Sequence, residues 1–166
     1  RHPVQFPLSK SSNIDSKVNF LTKMDAAARA EHQHIQQFVG RVLQREQQVE
    51  IFNSDGLHAQ DTRHYCRIAA TAVAEDGGQQ SSGYVAPGAL QGWEFNSGHD
   101  AADLAQQAAK QALIKLHADD CPSGEMPVVI GNGFGGVIFH EACGHLLETT
   151  SVEKKASVFH DKMGEM

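Results

Sequence analysis

Residues 49–78, VEIFNSDGLHAQDTRHYCRIAATAVAEDGG, contain the clearest indication of the fold. Asn53-Ser-Asp-Gly56 is a strong turn signal between two runs that mix apolar and polar residues, as strands do. A second turn signal, Glu75-Asp-Gly-Gly78, ends the run 57–74, and residues 39–52 extend the strand before the first turn. Consecutive strands joined by tight turns predict an antiparallel meander.

One helix is predicted before these strands in the sequence and another after them. Residues 15–31 carry apolar side chains at helical spacing, and Asp15 is the expected cap. Residues 100–117 carry an amphipathic stripe that packs on the sheet. The Ser97 hydroxyl is expected to cap the first amides of this helix, with Asp100 at its positive end.

The remaining segments are predicted as follows. Residues 1–14 form an extended lead-in, and residues 84–95 form a further extended stretch interrupted by a Pro-Gly pair. Residues 126–130 form a short buried strand, which leads through a glycine-rich loop into a helix over about 135–148. The expected fold class is α+β: a largely antiparallel sheet with packed helices, followed by a strand–Gly-rich loop–helix unit.

Composition excludes several classes of function. The 166 residues carry 14 basic and 20 acidic side chains, a net charge of −6, which argues against a nucleic-acid surface. No apolar run approaches the roughly 20 residues that span a bilayer, and the start lacks the features of a signal peptide. Three cysteines make a disulfide framework unfavourable, so a cytoplasmic location is expected.

The motif that carries chemistry lies within residues 128–148, VVIGNGFGGVIFHEACGHLLE. Neutral imidazoles, here His140 and His145, are good zinc ligands, and a neighbouring carboxylate, here Glu141, can accept a proton from a zinc-bound water. The apolar run 137–139 is expected to bury this group. Buried histidine and glutamate need partners, which a metal supplies.

The spacing of the two histidines makes a geometric demand. Residues five apart in a regular α-helix lie about 140° from each other around its axis, on different faces. A π-bulge between them would reduce this angle to roughly 50°, and Gly144 tolerates such a distortion. A shared metal therefore predicts that the helix departs from α-geometry between Glu141 and His145.

A second motif overlaps the first. Gly131-Asn-Gly133-Phe-Gly-Gly136 satisfies the G-x-G-x-x-G pattern of dinucleotide-binding folds. That alternative requires a second parallel strand that ends in an acidic residue, but the polar run 149–157 predicts none. The glycines are better explained by close approach of the loop to a cleft.

Other candidate ligands have competing explanations. Cys143 is within reach of His140 on a helix, but a small side chain that packs is the preferred interpretation. Glu148 and Glu153 fit an outer-shell or ligand carboxylate and equally fit a helix end or a surface position. His58 and His64 are expected on a solvated sheet face.

With these residues in view, the sequence resembles the TldD/PmbA family of zinc metallopeptidases, also described as modulators of DNA gyrase. The resemblance runs from about Lys17 to Met166. It is carried by the blocks Asn53–Gly56, Ala74–Gly78, Gly124–Pro127, Gly131–Gly136, His140–His145, Ser157–Phe159 and Lys162–Glu165. The His-Glu-x-x-x-His motif is typical of the TldD-like branch.

The resemblance implies roles for the motif residues. His140 and His145 would be zinc ligands and Glu141 the general base of peptide hydrolysis. Peptide substrates and an oligomer, formed with copies of itself or with a PmbA-like chain, are also implied. The third zinc ligand in the family is a cysteine near the C-terminus of much longer chains, and no residue here corresponds to it.

The resemblance also implies a domain division. Residues 1–121 would be the rear part of an N-terminal α+β domain, and residues 122–166 the start of a truncated C-terminal metallopeptidase domain. Because zinc sites use three or four ligands, the 166-residue piece is expected to be inactive alone. The alternative is a binding or assembly module of the same family that has no catalytic function.

Overall fold

The computed structural model describes residues 14–164 together with Val4, Pro7 and Leu8. The chain divides into two compact units, residues 1–120 (unit 1) and residues 121–166 (unit 2). Apart from those three positions and Ile14, which already belongs to a helix, the predicted extended lead-in lies outside the described residues.

Unit 1 contains two long helices and an antiparallel sheet. Its elements are α1 (Ile14–Glu31), β1 (Ile35–Phe52), β2 (His58–Asp76), β3 (Gln79–Val85), β4 (Gly88–Ala89), a 3-10 helix (Trp93–Gly98) and α2 (Ala101–Leu116). The strands follow the order β1–β2–β3, and the short β4 also pairs with β2. Every pairing is antiparallel, which confirms the predicted meander.

A long hairpin of β1 and β2 dominates the sheet. Its ladder runs from the pair Ile35–Ala74 to the pair Phe52–His58. At its tip the Asn53 side-chain Oδ1 accepts hydrogen bonds from the amides of Asp55 and Leu57, at 3.1 and 2.9 Å. The turn therefore forms where its composition predicts, because asparagine bonds the backbone two residues on.

The core lies between the helices and one face of the sheet. Alternate residues of β2 are buried, namely Cys66, Ile68, Ala70, Ala72 and Ala74. The α2 helix contributes a buried stripe of small residues, which includes Ala105, Ala108, Ala109 and Ala112. The observed alternation along β2 and the predicted amphipathic stripe of α2 therefore meet in one core.

The small residues let α2 approach β3 closely. A Cβ atom built on Gly83 of β3 would collide with the backbone carbonyl oxygen of Ala108 and come within 2.7 Å of the Ala112 amide nitrogen. Beside this contact the Lys115 ammonium donates a hydrogen bond to the Ser82 carbonyl oxygen, at 3.0 Å. Helix and strand are thus in backbone contact at Gly83, where only glycine fits.

The extended conformation predicted for residues 84–95 is wrong at its end. Trp93 and Phe95 lie in the 3-10 helix and are buried. The Trp93 indole donates a hydrogen bond to the Ser16 hydroxyl, at 2.8 Å, and its ring contacts Phe20 edge to face, with centroids 5.7 Å apart. Packing of Trp93 against α1 therefore overrides the strand preference of this aromatic residue.

Two predicted helix caps are also corrected. The Ser97 hydroxyl donates to the Glu94 carbonyl oxygen rather than capping α2. The N-cap of α2 is Asp100, whose carboxylate accepts a hydrogen bond from the Asp103 amide at 2.9 Å. Asp15 lies within the first turn of α1, where a negative charge favours the positive end of the helix.

Unit 2 is built from short helical segments. They are a 3-10 helix (Gly133–Gly136), α3 (Val137–Phe139), a π-helix (His140–Gly144), a second 3-10 helix (His145–Leu147) and α4 (Thr149–Glu153). The strand predicted at 126–130 is wrong: this segment pairs with none of the described residues, and Val129 is fully exposed. Apolar sequence alone does not make a strand, because a strand needs a hydrogen-bonded neighbour. Across the residues that the structure describes, no helix is long and apolar enough to cross a membrane.

Candidate metal centre

The three residues of the predicted motif lie on a widened helical turn. The segment His140–Gly144 is a π-helix, and the His145 amide donates its hydrogen bond to the His140 carbonyl oxygen, five residues back. The rings of His140 and His145 consequently lie side by side and meet edge to face, with centroids 4.5 Å apart and planes at 74°. The predicted departure from α-geometry between Glu141 and His145 is confirmed.

Gly144 is compatible with the distortion, as predicted, but a glycine is not required at this position. Gly144 has φ −56° and ψ −54°, which any residue adopts in a right-handed helix. A Cβ atom at this position would lie 3.8 Å from the His140 Nδ1 atom, an ordinary contact. The widened turn therefore does not depend on the conformational freedom of glycine.

The donor atoms of the motif fit a shared cation. One ligand atom from each of His140, Glu141 and His145 lies within 4.8 Å of the other two. The Glu141 Oε2 and His145 Nε2 atoms are 3.7 Å apart. Two donors that share zinc lie about 3–4 Å apart, since each is about 2.0–2.1 Å from the ion. Two imidazoles and a carboxylate form a donor set that zinc and other transition metals bind.

Glu148 orients one of the two imidazoles. Its Oε1 atom lies 2.8 Å from the His145 Nδ1 atom, which leaves Nε2 of the same ring on the side of Glu141. This hydrogen bond raises the pKa of His145 above its ordinary value. A carboxylate that accepts a hydrogen bond from the far nitrogen of a histidine ligand fixes its tautomer and raises its basicity. This geometry fits an outer-shell role for Glu148, and Glu148 is also the exposed N-cap residue of α4, so the helix-end and surface interpretations fit as well.

The turn after the motif holds Glu148 in place. The amides of Ser151 and Val152 donate to the Glu148 carbonyl oxygen, at 2.9 and 3.0 Å. Farther along, the Ser157 hydroxyl donates to the Leu146 carbonyl oxygen and accepts from the Phe159 amide. Ser157 is buried, so this polar contact anchors the chain that follows the site.

The expected burial of the motif is wrong. The side chains of His145 and Glu141 are 50% and 65% exposed. Among residues 121–164, unit 2 has no sheet or long helix that covers the apolar run 137–139. Beside the motif lies a surface depression of about 610 Å³, lined by Phe134, Gly135, Val137, Ile138, Glu141 and Ala142. Glu141 is the one charged residue in this otherwise apolar wall.

The remaining candidates lie outside the cluster. Cys143 is exposed, so the packing role preferred for it is wrong. Burial raises the pKa of the Cys66 thiol to about 11, which keeps it protonated and unsuited to bind metal. His64 lies 3.6 Å from Glu46 across the hairpin, and His58 stacks on Phe52.

The alternative of a dinucleotide site finds no support in unit 2. Neither the strand before the glycine-rich loop nor a parallel strand after the helix forms among residues 121–164. Gly133 has φ +83°, a conformation that glycine adopts freely and other residues rarely do. The glycine at this position serves the sharp turn into the helical run.

Sequence reasoning missed one group of possible ligands. His34 precedes β1, Asp76 ends β2 and His117 follows α2, and one ligand atom from each lies within 4.8 Å of the other two. Their spacing in the sequence carries no motif that could have indicated this cluster.

Removal of the orienting carboxylate should weaken metal binding. We expect Glu148→Ala to lower the zinc affinity of the motif by about 10–100-fold, because the His145 ring loses its outer-shell partner. The amide oxygen of Glu148→Gln can still accept the hydrogen bond, so its zinc affinity should lie between those of Glu148→Ala and the parent. Isothermal titration with zinc measures both. The matched control is Glu153→Ala, and equal losses in the two alanine variants would contradict a specific role of Glu148.

Two imidazoles and a carboxylate on one helical turn are residue types that metallopeptidases use to bind their metal and activate water. Comparison with known proteins agrees with this class. Residues 7–116 match the PmbA/TldA metallopeptidase central domain, and residues 123–166 match the PmbA/TldA metallopeptidase C-terminal domain. The chain belongs to the PmbA/TldD family of metallopeptidases.

Individual relatives support the same assignment. The chain is 35% identical over 161 residues to a metalloprotease TldD homolog of Haemophilus influenzae, covering 94% of this chain and 33% of that protein. It is 34% identical over 113 residues to a metalloprotease of Methanocaldococcus jannaschii, covering 68% and 24%. The chain therefore spans about a third or less of the length of these relatives.

A solved structure shares the fold. It is that of a candidate modulator of a DNA gyrase from Thermotoga maritima, with a TM-score of 0.71 and 20% identity. The match covers 98% of this chain and 37% of the other. At this identity the likeness concerns the fold, which is the predicted α+β class.

Proposed function

We propose that the protein takes part in zinc-dependent peptide hydrolysis, with His140 and His145 as zinc ligands and Glu141 as general base. The observation that carries the proposal is the π-turn, which brings two imidazoles five residues apart into one cluster with a carboxylate. An undistorted helix would place these rings on different faces. The rare geometry is thus the one that a shared cation requires.

Each residue has a distinct part in this proposal. When bound, zinc supplies a Lewis acid that polarises a carbonyl oxygen and lowers the pKa of water. His145 presents its Nε2 atom, since Glu148 engages its Nδ1 atom. Glu141 accepts the proton of the attacking water and returns it to the leaving amine, as general base catalysis requires.

The surroundings of Glu141 suit a peptide with apolar side chains. The depression beside it is lined by Phe134, Val137 and Ile138, whose side chains would contact the residue next to the scissile bond. Glu141 lies at this wall, so a side chain in the depression brings its own backbone near the general base. We therefore propose peptides with an apolar residue beside the cleaved bond as substrates.

The activity is proposed for a polypeptide of the relatives' length that contains these 166 residues, because the chain spans only about a third of them. Two imidazoles and a base do not complete a catalytic zinc site, which uses three protein ligands. The third is proposed to be a cysteine in a further part of such a polypeptide, as in the family. A PmbA-like chain or a second copy is the proposed partner.

Metal content and peptidase activity of the longer polypeptide test the proposal together. We expect His140→Ala to remove one equivalent of zinc and to abolish hydrolysis, because the remaining donors are too few to hold the ion. His58→Ala, on the hairpin of unit 1, is the control and should keep both. If the His140 variant retains its zinc and its activity, the motif is not the active site. If the His140 variant loses zinc but the parent polypeptide itself shows no hydrolysis, the result would favour a binding or assembly module.

A further inference from the structure

Three side chains of types that bind metals meet at one end of unit 1. They are distant in the sequence from the motif His140–His145. His34 lies in the turn between α1 and β1, Asp76 is the last residue of β2, and His117 follows α2. One ligand atom from each lies within 4.8 Å of the other two. This cluster is defined by two imidazoles and a carboxylate, a donor set that transition metals favour over calcium or magnesium.

The fold brings these residues together through regular structure. The Glu75 amide donates to the His34 carbonyl oxygen at 2.9 Å, next to the pair Ile35–Ala74 that starts the sheet ladder. His117 is the C-cap of α2, and its ring centroid lies 6.3 Å from that of His34. Because the donors belong to a strand end, a tight turn and a helix end, their backbone positions are fixed.

One donor of the cluster lacks a partner that it needs. The His34 Nδ1 atom is buried and forms no hydrogen bond with any described residue. The nearest carboxylate oxygen, Asp76 Oδ2, is 3.8 Å away, which is too far for a hydrogen bond. Buried polar atoms in native proteins nearly always have a partner, and a cation between these two atoms would provide one.

The adjacent histidine holds the turn rather than the cluster. The His32 Nδ1 atom accepts a hydrogen bond from the His34 backbone amide at 3.2 Å, and the two rings meet edge to face with centroids 4.6 Å apart. This contact restrains the backbone and the ring of His34. The side chain of His34 is 23% exposed and that of Asp76 is 49% exposed, so an ion can enter from solvent.

We propose that His34, Asp76 and His117 form a second site, which binds a divalent transition metal such as zinc, with water in the remaining positions. Donors that share zinc lie about 3–4 Å apart, so the cluster needs only small side-chain rotations to close on an ion. The bound ion would tie the α1–β1 turn, the end of β2 and the end of α2 together. The role is structural, and it is independent of the proposed peptidase site in unit 2.

Zinc titration of a variant that lacks the catalytic motif tests this site. In the chain with His140→Ala and His145→Ala, we expect one equivalent of zinc to bind and to raise the melting temperature of unit 1. Adding Asp76→Asn or His117→Ala should lower the affinity about 100-fold or more, because the loss of even an outer-shell partner costs 10–100-fold. His58→Ala in the same background should leave the affinity unchanged.

A second measurement does not depend on the folding of the Asp76 and His117 variants. In the same background chain, histidine ring NMR signals of His34 and His117 should shift at one equivalent of zinc, whereas the signal of His58 should not. Absence of a zinc-dependent melting shift, or a shift that persists in Asp76→Asn and His117→Ala, would overturn the proposal. Ring signals of His34 and His117 that ignore zinc would overturn it as well.

Discussion

Glu141→Gln should lower the peptidase activity of the longer polypeptide by about 10²–10⁴-fold, the range that general acid–base catalysis contributes. Glutamine keeps the shape and one oxygen of the side chain but cannot accept the proton of the attacking water. The rate constant should fall while the Michaelis constant changes little, because the substrate contacts remain. Steady-state kinetics with a peptide that has an apolar residue at the cleaved bond measures both.

The zinc content of the same variant separates two roles of Glu141. Its Oε2 atom lies 3.7 Å from the His145 Nε2 atom, so the carboxylate is near enough to the imidazoles to be a ligand itself. A general base should leave zinc in place after the change to glutamine. Loss of zinc together with activity would assign Glu141 to the ligand set, and full activity would remove it from the mechanism. Glu153→Gln, an exposed carboxylate on α4, is the matched control.

Gly83→Ala should destabilise unit 1 by about 3 kcal/mol or more, the upper part of the range for overpacked cores. The new methyl group would occupy the space of the Ala108 carbonyl oxygen, and both neighbours are backbone that side-chain rotation cannot move. Relief requires α2 to lift from β3, which strains its contacts with Ser81 and Ser82. The melting temperature should fall by about 10 °C or more.

Calorimetry or circular dichroism measures this loss. The matched control is Gly98→Ala, at the end of the 3-10 helix, where an added Cβ atom meets nothing within 4 Å. That variant should stay within about 0.5 kcal/mol of the parent, as surface changes usually do. A Gly83 variant as stable as the Gly98 variant would mean that α2 does not contact β3 as described.

The sequence predicted unit 1 well where local signals and long-range packing agree. Asn53-Ser-Asp-Gly56 predicted the hairpin turn, and the run 57–74 predicted the strand that follows it. The prediction failed at Trp93 and Phe95, which lie in a 3-10 helix; a contact of Trp93 with Phe20, distant in the sequence, favours this conformation. It also failed at 126–130, where apolar residues find no strand to pair with among the described residues.

The site was predictable to the extent that it is local. The spacing of His140 and His145 allowed a common cation only with a widened turn, and that turn is present. The exposure of the motif was not predictable, since burial depends on what lies across from the segment. The cluster of His34, Asp76 and His117 could not be predicted from the sequence either, because only the folded topology makes these residues neighbours.

The hairpin of β1 and β2 differs along its length in how it tolerates insertions and deletions. Near its base, loss of a single residue from β2 would turn buried residues such as Ala70 and Ala72 outward. Their outward-facing neighbours, such as Thr71, would then point into the core, since side chains alternate between faces. Toward the tip, residues 58–63 bury no side chain. Pairs of residues can therefore be added to or removed from both strands at the tip. Such a change alters the length of the hairpin and leaves the alanine-lined core unchanged.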